Sequence, residues 1–494
     1  MNRSELATEV AAVSTRDSAS FDERVRDEAR WLLSAIVNGE FDSSHTTVGL
    51  EYECYGVDDE GSLLTMPQAV IDRPGMEKEI GRHQVELQVS PQPFSAAGLE
   101  AIESEVRARF EAANEALAAH GGQLASGGMW TIPPTDKGAL EYLTESDGSH
   151  DVPLATNMVD TVRYHAQGHG AATRIDAPHV THEGETALLN SLTTSIQPHH
   201  VVPEATELPR YHRYALRVAG PLLALGVNSP LFPPDLYEAE AAPRAVLTDC
   251  RMENRIGVFE SVMNAEDEAP KATFPADVDS VGDAVSSVVE DPTILPMQFD
   301  ERDDLTHFSH KHGCYWRWIR PVFDERSDGT SNVRIEFRPI PGQPTIRDSV
   351  AFVGLFSGLL TALPRMDHPV AELDWATARD NFYGAAADGL DADLEWLDRE
   401  GDRTDSVADC YDDLFACARQ GLSMAGFEDD EADRVLAPLE SRVTRDRTPA
   451  DWKLDRVEHG LDAGLSFERA VEDTQRAYLR MQAETFEDGC FARW

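Results

Sequence analysis

The stretch from Thr46 to Val57, TTVGLEYECYGV, carries two carboxylates whose spacing could bind a cation. Glu51 and Glu53 lie two residues apart, so on a β-strand both side chains point to one face while their apolar neighbours point to the other. Adjacent carboxylates repel each other, and a cation, a proton or an arginine relieves that repulsion. The stretch therefore indicates either a cation-binding strand or the water-exposed face of an acidic protein.

Three further stretches alternate polar and apolar residues in the same way: Gln84–Ser90, Asn190–Val202 and Asn332–Ile340. Each predicts a β-strand with one apolar face. Pro198 has no N–H group, which predicts that the strand within Asn190–Val202 lies at a sheet edge or contains a bulge. The functional side chains on the polar faces are Glu86, Gln197, His199, Arg334, Glu336 and Arg338.

Glutamates, a histidine and arginines on four strands suggest one concave site that binds metal ions and phosphate groups. Carboxylate oxygens are the ligands that Mg²⁺ prefers, and a single histidine can join them. The alternating Arg-Glu-Arg order would place cations beside the metal ions, which suits the neutralisation of phosphate. Neither GxxxxGK[ST] nor GxGxxG occurs, so a nucleotide would be held by metal ions and arginines. The alternative is that each polar face is simply solvated, as in many one-sided antiparallel sheets.

Composition narrows the class of protein. The chain has 494 residues, of which 41% are hydrophobic, enough for one large domain with insertions or for two domains. Its 89 acidic and 43 basic residues give a net charge of -46, and only five of the basic residues are lysines. A dispersed acidic surface suits multimolar salt, where the Debye length falls to roughly 3 Å or less. We therefore expect a halophilic protein whose partners are neither nucleic acids nor anionic membranes.

The sequence contains no targeting or membrane signal. It lacks an apolar run of about 18 residues, which predicts no transmembrane helix. The N-terminus is polar, which argues against a signal peptide and favours a cytoplasmic location. The six cysteines are scattered without a CxxC pair. This predicts reduced thiols rather than disulfides or a zinc site.

The remaining patterns divide the chain into three parts. Residues 1–45 form a polar tail and a helix, residues 46–369 contain the strands, and residues 370–494 are acidic and helical without a predicted strand. The most acidic part of the middle region, residues 264–312, is loop-like and is expected to be a surface insertion or a lid. Apolar periodicity and capping residues predict helices near 21–36, 95–120, 208–225 and 348–363.

Six short motifs in this order resemble the glutamate–cysteine ligase and carboxylate–amine ligase family, within the glutamine-synthetase-like superfamily. The resemblance covers roughly residues 46 to 363. It implies an α+β fold in which a curved antiparallel sheet, a half-barrel, carries helices on its convex side. The motifs are GLEYE (49–53), QVEL (84–87), TSIQPH (194–199), NSP (228–230), RI (255–256) and RIEFR (334–338).

The resemblance also implies ATP and two or three Mg²⁺ ions as cofactors. Pro198 replaces the apolar residue usual between the matched polar positions of the family, so the ligand is either His199 or His200. The implied metal ligands are Glu51, Glu53, Glu86, His199 and Glu336.

Roles for further side chains follow from the same resemblance. Arg338, Glu336 and Arg255 would be catalytic, with Arg338 neutralising the transferring phosphoryl group and Arg255 gripping the carboxylate of the amino acid. Arg334 and Arg338 would bind the nucleotide, and Gln197 would line the acceptor pocket.

The implied reaction is the phosphorylation of the side-chain carboxylate of glutamate by ATP, followed by attack of an amine, cysteine in the best-known members. The product would be γ-glutamylcysteine. The alternatives are a ligase of the same fold that uses another acid or amine, and a non-catalytic binding protein on that fold. The sequence leaves open whether the chain forms a homo-oligomer.

Overall fold

A computed structural model describes residues 2–148, 152–167, 173–264, 270–299, 304–325 and 331–494. Its largest sheet has eight antiparallel strands in the order β11-β12-β10-β1-β3-β2, with β4 and β5 paired to the two ends of β1. Three short hairpins, β6-β7, β8-β9 and β13-β14, lie outside it. The strands are β1 (Thr47–Asp58), β2 (Met76–Lys78), β3 (Gln84–Gln88), β4 (Gln92–Pro93), β5 (Gly122–Ala125), β6 (Ser146–Asp147), β7 (Leu154–Ala155), β8 (Thr173–Ala177), β9 (Val180–Gly184), β10 (Ile196–Val202), β11 (Ile319–Asp324), β12 (Asn332–Phe337), β13 (Trp396–Leu397) and β14 (Arg403–Thr404).

Helices cover the convex side of this sheet and continue to the C-terminus. The four predicted helices are confirmed as α2, α4, α7 and α12. The helices are α1 (Arg3–Ser14), α2 (Ala19–Val37), α3 (Gln68–Ile71), α4 (Ala96–Ala118), α5 (Ala139–Thr144), α6 (Val162–Gln167), α7 (Leu208–Gly226), α8 (Pro243–Asp249), α9 (Asn254–Met263), α10 (Val281–Glu290), α11 (Thr306–His312), α12 (Ile346–Ala362), α13 (Trp375–Asp388), α14 (Val407–Met424), α15 (Asp429–Arg445), α16 (Pro449–Asp462) and α17 (Phe467–Thr485).

The apolar halves of the alternating strands form the core together with α7 and α12. Phe337 of β12 stacks on Phe356 of α12 with ring centroids 4.7 Å apart. Thr345 caps α12, because its hydroxyl accepts a hydrogen bond from the backbone N–H of Asp348 at 3.1 Å. With one face of the sheet buried in this way, the polar residues of the same strands are left on the concave face.

The sheet-edge alternative predicted for Pro198 is wrong, but the bulge alternative fits the pairing, because the register shifts by one residue between the His199–Glu336 pair and the Ser195–Pro341 bridge. Strand β10 lies inside the sheet between β1 and β12, and Pro198 is the register partner of Leu50. The pairing of β10 with β12 begins one residue later, at His199. The residue without an N–H group therefore lies at this register shift, where the missing donor is tolerated.

The segment 264–312 contains two helices where the sequence indicated loops, although residues 265–269 and 300–303 lie outside the described part. Helices α10 and α11 pack against α2. Glu28 of α2 accepts a hydrogen bond from the backbone N–H of Phe308 at 2.7 Å. The role of this segment as a lid remains a prediction.

The C-terminal helices pack against the helices that cover the large sheet rather than standing apart from them. Helix α13 lies along α7, and α14 and α15 lie along α12. The buried Arg442 of α15 pairs with Asp348 of α12 at 3.0 Å. All six cysteines are free in the structure. Within the described residues, every helix is too short or too polar to cross a membrane.

Candidate active site

The antiparallel register brings together side chains that are far apart in the sequence. Glu51 of β1 pairs with Gln197 of β10, and His199 of β10 pairs with Glu336 of β12. On the other side of β1, Glu53 pairs with Glu86 of β3. Because register partners point to the same face of a sheet, these groups share the concave face.

The first group on this face, the histidine cluster, consists of Glu51, His199 and Glu336. Each offers a ligand atom, and these atoms all lie within 4.8 Å of one another. Nε2 of His199 lies 3.2 Å from a carboxylate oxygen of Glu51, without the geometry of a hydrogen bond. The other ring nitrogen, Nδ1, accepts a hydrogen bond from Nε of Arg334 at 3.1 Å. One imidazole nitrogen and two carboxylates are thus directed at one point.

Two arginines hold Glu336 in its ionised form. Arg320 donates from Nε at 3.0 Å, and Arg338 donates to the second carboxylate oxygen. Burial alone would raise the pKa of Glu336, but Arg320 and Arg338 hold it well below its usual range. Arg320 was not identified from the sequence. It is the register partner of Glu336 on β11 and lies in a stretch rich in aromatic residues, 315–323, which carries no further signal of a functional role.

The second group, the carboxylate cluster, consists of Glu53, Glu79 and Glu86. Their ligand atoms also lie within 4.8 Å of one another. Burial, followed by the charge of Glu53, raises the pKa of Glu79 to about 8. Burial and the neighbouring carboxylates likewise raise the pKa of Glu86 well above its usual range. Burial raises the pKa of Glu53 as well, against the opposing charge of Arg255.

Glu79 was missed because it lies between β2 and β3, where no periodicity assigns a direction to its side chain. It precedes Glu86 by seven residues, and the chain between them turns back into β3. A glutamate in a loop is usually solvated, so the sequence offered no reason to select it.

Neutral donors hold Glu53 in place. Its carboxylate accepts hydrogen bonds from the backbone N–H of Ser195 at 2.6 Å and from the Ser195 hydroxyl at 3.0 Å. Nε2 of Gln197 donates to the same carboxylate at 2.9 Å. The amide oxygen of Gln197 accepts from Arg338 at 2.6 Å. Gln197 therefore links the carboxylate cluster to Arg338.

Arg255 lies at the start of α9, at the other end of this network. Its guanidinium group lies over the ring of Trp318, 5.2 Å from the centroid, and donates from Nη1 to the carbonyl of Pro339 at 3.2 Å. Burial lowers the pKa of Arg255 to about 10, and the charges of Glu53 and Glu253 oppose that shift. Arg255 remains a cation that faces the carboxylate cluster.

His200 points away from the site. It is fully buried on the convex side, with its ring near those of Phe94, Tyr211 and Phe356. Burial lowers the pKa of His200 to about 3. Of the two candidate histidines, His199 is therefore the one that lies with the carboxylates.

A cavity of about 660 Å³ extends from the histidine cluster to the rim of the sheet. Arg334 lines it and also pairs with Asp324 at 3.0 Å. Other polar groups along its wall include Asp42, Ser44, His45 and Asn332. A cavity of this volume can take a nucleotide-sized molecule.

The donor set of both clusters fits magnesium. The groups are carboxylate oxygens with one imidazole nitrogen, which is the chemistry that a hard divalent cation selects. Burial and the neighbouring carboxylates raise the pKa values of Glu79 and Glu86, and a bound cation would oppose that shift. The arginines beside the histidine cluster fit the phosphate groups of a nucleotide.

The sequence profile of glutamate-cysteine ligase family 2 matches residues 47–478 of the chain. No curated protein sequence matches it. Among solved structures, the glutamate–cysteine ligase of Francisella tularensis in complex with AMP aligns with a TM-score of 0.56 and 12% identity, over 90% of each chain. A bifunctional glutathione synthetase from Pasteurella multocida aligns with a TM-score of 0.54 and 13% identity, over 92% of this chain and 54% of that one. These likenesses show the fold and confirm the predicted half-barrel.

Proposed function

This chain belongs to glutamate-cysteine ligase family 2, and we propose that it is an ATP-dependent ligase that joins the γ-carboxylate of glutamate to the amine of cysteine. The observation that supports this most directly is the concave face itself. There, the histidine cluster and the carboxylate cluster lie side by side, with Arg338 and Arg255 beside them. Such a face suits a reaction between a nucleotide phosphate and a carboxylate, two groups that otherwise repel each other.

Magnesium ions would be held by Glu51, His199 and Glu336 in the histidine cluster and by Glu53, Glu79 and Glu86 in the carboxylate cluster. When bound, they would neutralise the phosphate charge and orient the β- and γ-phosphates of ATP.

We assign the cavity of about 660 Å³ to ATP and the region around Arg255 to the acid. Arg334 lines that cavity and would bind the phosphate chain. Arg338 lies between Glu336 and Gln197 and would stabilise the charge on the transferring phosphoryl group. Arg255 would bind the carboxylate of the amino acid, and Gln197 would line the acceptor pocket.

The proposed reaction has two steps. A γ-carboxylate oxygen of glutamate forms a bond to the γ-phosphorus of ATP while the bond to the β,γ-bridging oxygen breaks, which releases ADP. The amine nitrogen then bonds to the acyl carbon, inorganic phosphate leaves, and the nitrogen loses a proton. The side chains contribute mainly by positioning the reactants and balancing their charge.

The test is ADP formation with ATP, Mg²⁺ and glutamate in high salt, across a panel of amines. We expect cysteine to give the fastest turnover and γ-glutamylcysteine as the product. A faster reaction with another amine or acid would favour the related ligase of the same fold. If no combination of acid and amine released ADP, the binding-protein alternative would replace the proposal.

The surface charge supports a second proposal, that the protein works in the cytoplasm of a halophile. A net charge of -46 produces strong self-repulsion when salt does not screen it. We expect reversible unfolding when salt is diluted below about 0.5 M. A melting temperature that stays constant on dilution would contradict this proposal.

A further inference from the structure

Two buried residues of opposite charge are linked to Arg255 by hydrogen bonds and belong to neither cluster. Lys453 of α16 is 4% exposed, and Glu253, just before α9, is 0% exposed. Burial of a lysine or a glutamate is unfavourable unless the charge is compensated. Neither residue belongs to the set that would bind metal ions or nucleotide, so their burial calls for another explanation.

Hydrogen bonds connect Lys453 to Arg255 through the backbone of Asn228. Nζ of Lys453 donates to the carbonyl of Asn228 at 2.6 Å. The backbone N–H of Asn228 donates to Oε2 of Glu253 at 2.9 Å. The other oxygen of Glu253 accepts from the backbone N–H of Arg255 at 3.2 Å. One buried carboxylate thus holds both the Asn228 turn and the start of α9.

A second branch from Asn228 leads to the guanidinium group of Arg255. Nδ2 of Asn228 donates to the carbonyl of Gly342 at 2.6 Å. Gly342 lies three residues after Pro339, whose carbonyl accepts from Nη1 of Arg255 at 3.2 Å. A displacement of Asn228 would therefore move both the backbone and the guanidinium group of Arg255.

Helices α16 and α17 hold this network from the C-terminal side. Nζ of Lys453 lies 4.6 Å from the ring centroid of Tyr478, whose hydroxyl accepts from Nδ2 of Asn228 at 2.8 Å. Burial lowers the pKa of Lys453 to about 7. An apolar side chain of similar size would fill the same space without this desolvation, so stability alone does not account for a lysine here.

We propose that Lys453 is a positioning residue for the acid substrate, because it fixes Arg255 through Asn228 and Glu253. The inference rests on the proposed function, in which Arg255 binds the carboxylate of the acid. It gives the C-terminal helices a specific role: they place the acid-binding end of the site without touching the nucleotide end.

The test compares Lys453→Met with Lys311→Met. Lys311 is a matched control because it is also buried, at 5% exposed, and donates to Asp22 of α2 at 3.2 Å. In Lys453→Met we expect the KM for glutamate to rise about tenfold, with the KM for ATP and kcat within about twofold of wild type. In Lys311→Met we expect a lower melting temperature with an unchanged KM for glutamate.

An unchanged KM for glutamate in Lys453→Met would overturn the inference. So would an equal rise in the KM for ATP, or the same rise in Lys311→Met, because either would indicate a general loss of structure. If Lys453→Met does not fold, Glu253→Gln tests the network from its other end. It should also raise the KM for glutamate selectively, and an unchanged value would overturn the inference.

The proposed function and the positioning role of Lys453 would be disproved by different results. Wild-type protein that forms no ADP in response to glutamate would remove the proposed function and this inference with it. Glutamate-dependent activity in wild type, with the same KM for glutamate in Lys453→Met, would remove only the role of Lys453. Where both variants fold, the double variant Lys453→Met/Glu253→Gln should raise the KM no further than the larger single effect, because both act through one path. Effects that multiply would contradict that path.

Discussion

The histidine cluster and the carboxylate cluster lie on one face but differ in how their charge is balanced. Arg320 and Arg338 both donate to Glu336, and they hold its pKa well below the usual range. In the described part of the chain, neither Glu79 nor Glu86 forms an ion pair with a lysine or an arginine, and their pKa values are raised.

The difference indicates two kinds of site. The histidine cluster is charged and oriented by protein groups before any ligand binds, which is the preorganisation that phosphoryl transfer requires. Glu79 and Glu86 of the carboxylate cluster lack that compensation, so this pair must take up either protons or a cation. We infer that the structure of the carboxylate cluster depends more strongly on a bound metal ion, and that the structure of the histidine cluster depends on its arginines.

The largest expected effect is the loss of turnover when the charge of Glu336 is removed. Glu336→Gln keeps an acceptor for one arginine but loses one carboxylate of the proposed metal site and the charge that balances Arg320 and Arg338. We expect kcat to fall about a thousandfold. The measurement is ADP formation at saturating substrates, with circular dichroism to confirm folding.

Glu28→Gln is the matched control for that experiment. Glu28 is a partly buried acceptor on α2, outside both clusters, and receives a hydrogen bond from the backbone of Phe308 at 2.7 Å. Its replacement should lower stability with little change in kcat. Wild-type turnover in Glu336→Gln would remove the histidine cluster from the reaction.

The carboxylate cluster should make stability depend on pH when divalent cations are absent. The pKa of Glu79 is raised from 4.5 to about 8, so its contribution to stability is present at low pH and is lost as the pH rises through that interval. With EDTA, we expect wild type to lose about 3 kcal/mol of unfolding free energy relative to Glu79→Gln between about pH 5 and pH 7. Denaturant titrations of both proteins in high salt give this difference.

Magnesium should abolish that loss, because it stabilises the ionised carboxylates. The same titrations with saturating Mg²⁺ are expected to show wild type at least as stable as Glu79→Gln at pH 7. If the unfolding free energies of the two proteins change equally with pH in EDTA, Glu79 does not take part in the charge repulsion of this cluster.

The choice between His199 and His200 offers a smaller and more selective effect. His199→Gln removes an imidazole from the histidine cluster, so we expect the Mg²⁺ concentration for half-maximal activity to rise tenfold to about a hundredfold. His200→Phe replaces a buried ring by another and should leave that concentration unchanged. The Mg²⁺ dependence of ADP formation in both variants decides the assignment, and the opposite result would place the ligand at His200.

Strand periodicity was enough to predict the main features of this face. Alternation alone separated Glu51 and Glu53 from the core, and the same rule placed Gln197, His199 and Glu336 with them. What alternation does not supply is the order of strands in the sheet. The sequence therefore could not show that Arg320 lies beside Glu336, since that contact depends on the pairing of β11 with β12.

The misplacement of β10 has a similar cause. Pro198 is a local signal that correctly identifies a missing donor, but whether the donor is needed depends on where the ladder with β12 begins. Glu79 shows a further limit, because its direction is set by a loop and not by a repeating backbone conformation. The residues that were missed all owe their position to tertiary contacts.

A buried histidine outside both clusters should give the smallest effect and the opposite sign. Burial lowers the pKa of His212 from 6.5 to about 4, so the unfolded chain binds the proton more readily and stability is lost as the pH falls below 6.5. At about pH 5.5, one unit below the pKa of the unfolded chain, wild type should have lost about 1.4 kcal/mol of unfolding free energy relative to His212→Gln. The glutamine can still donate to the carbonyl of Ile319, which accepts from the histidine at 3.4 Å.

In EDTA, His212→Gln should therefore lose less stability than wild type on acidification, whereas Glu79→Gln should lose more. If both variants deviated from wild type in the same direction, the pH dependence could not be assigned to these two buried groups, and the contrast between the clusters would lose its thermodynamic support.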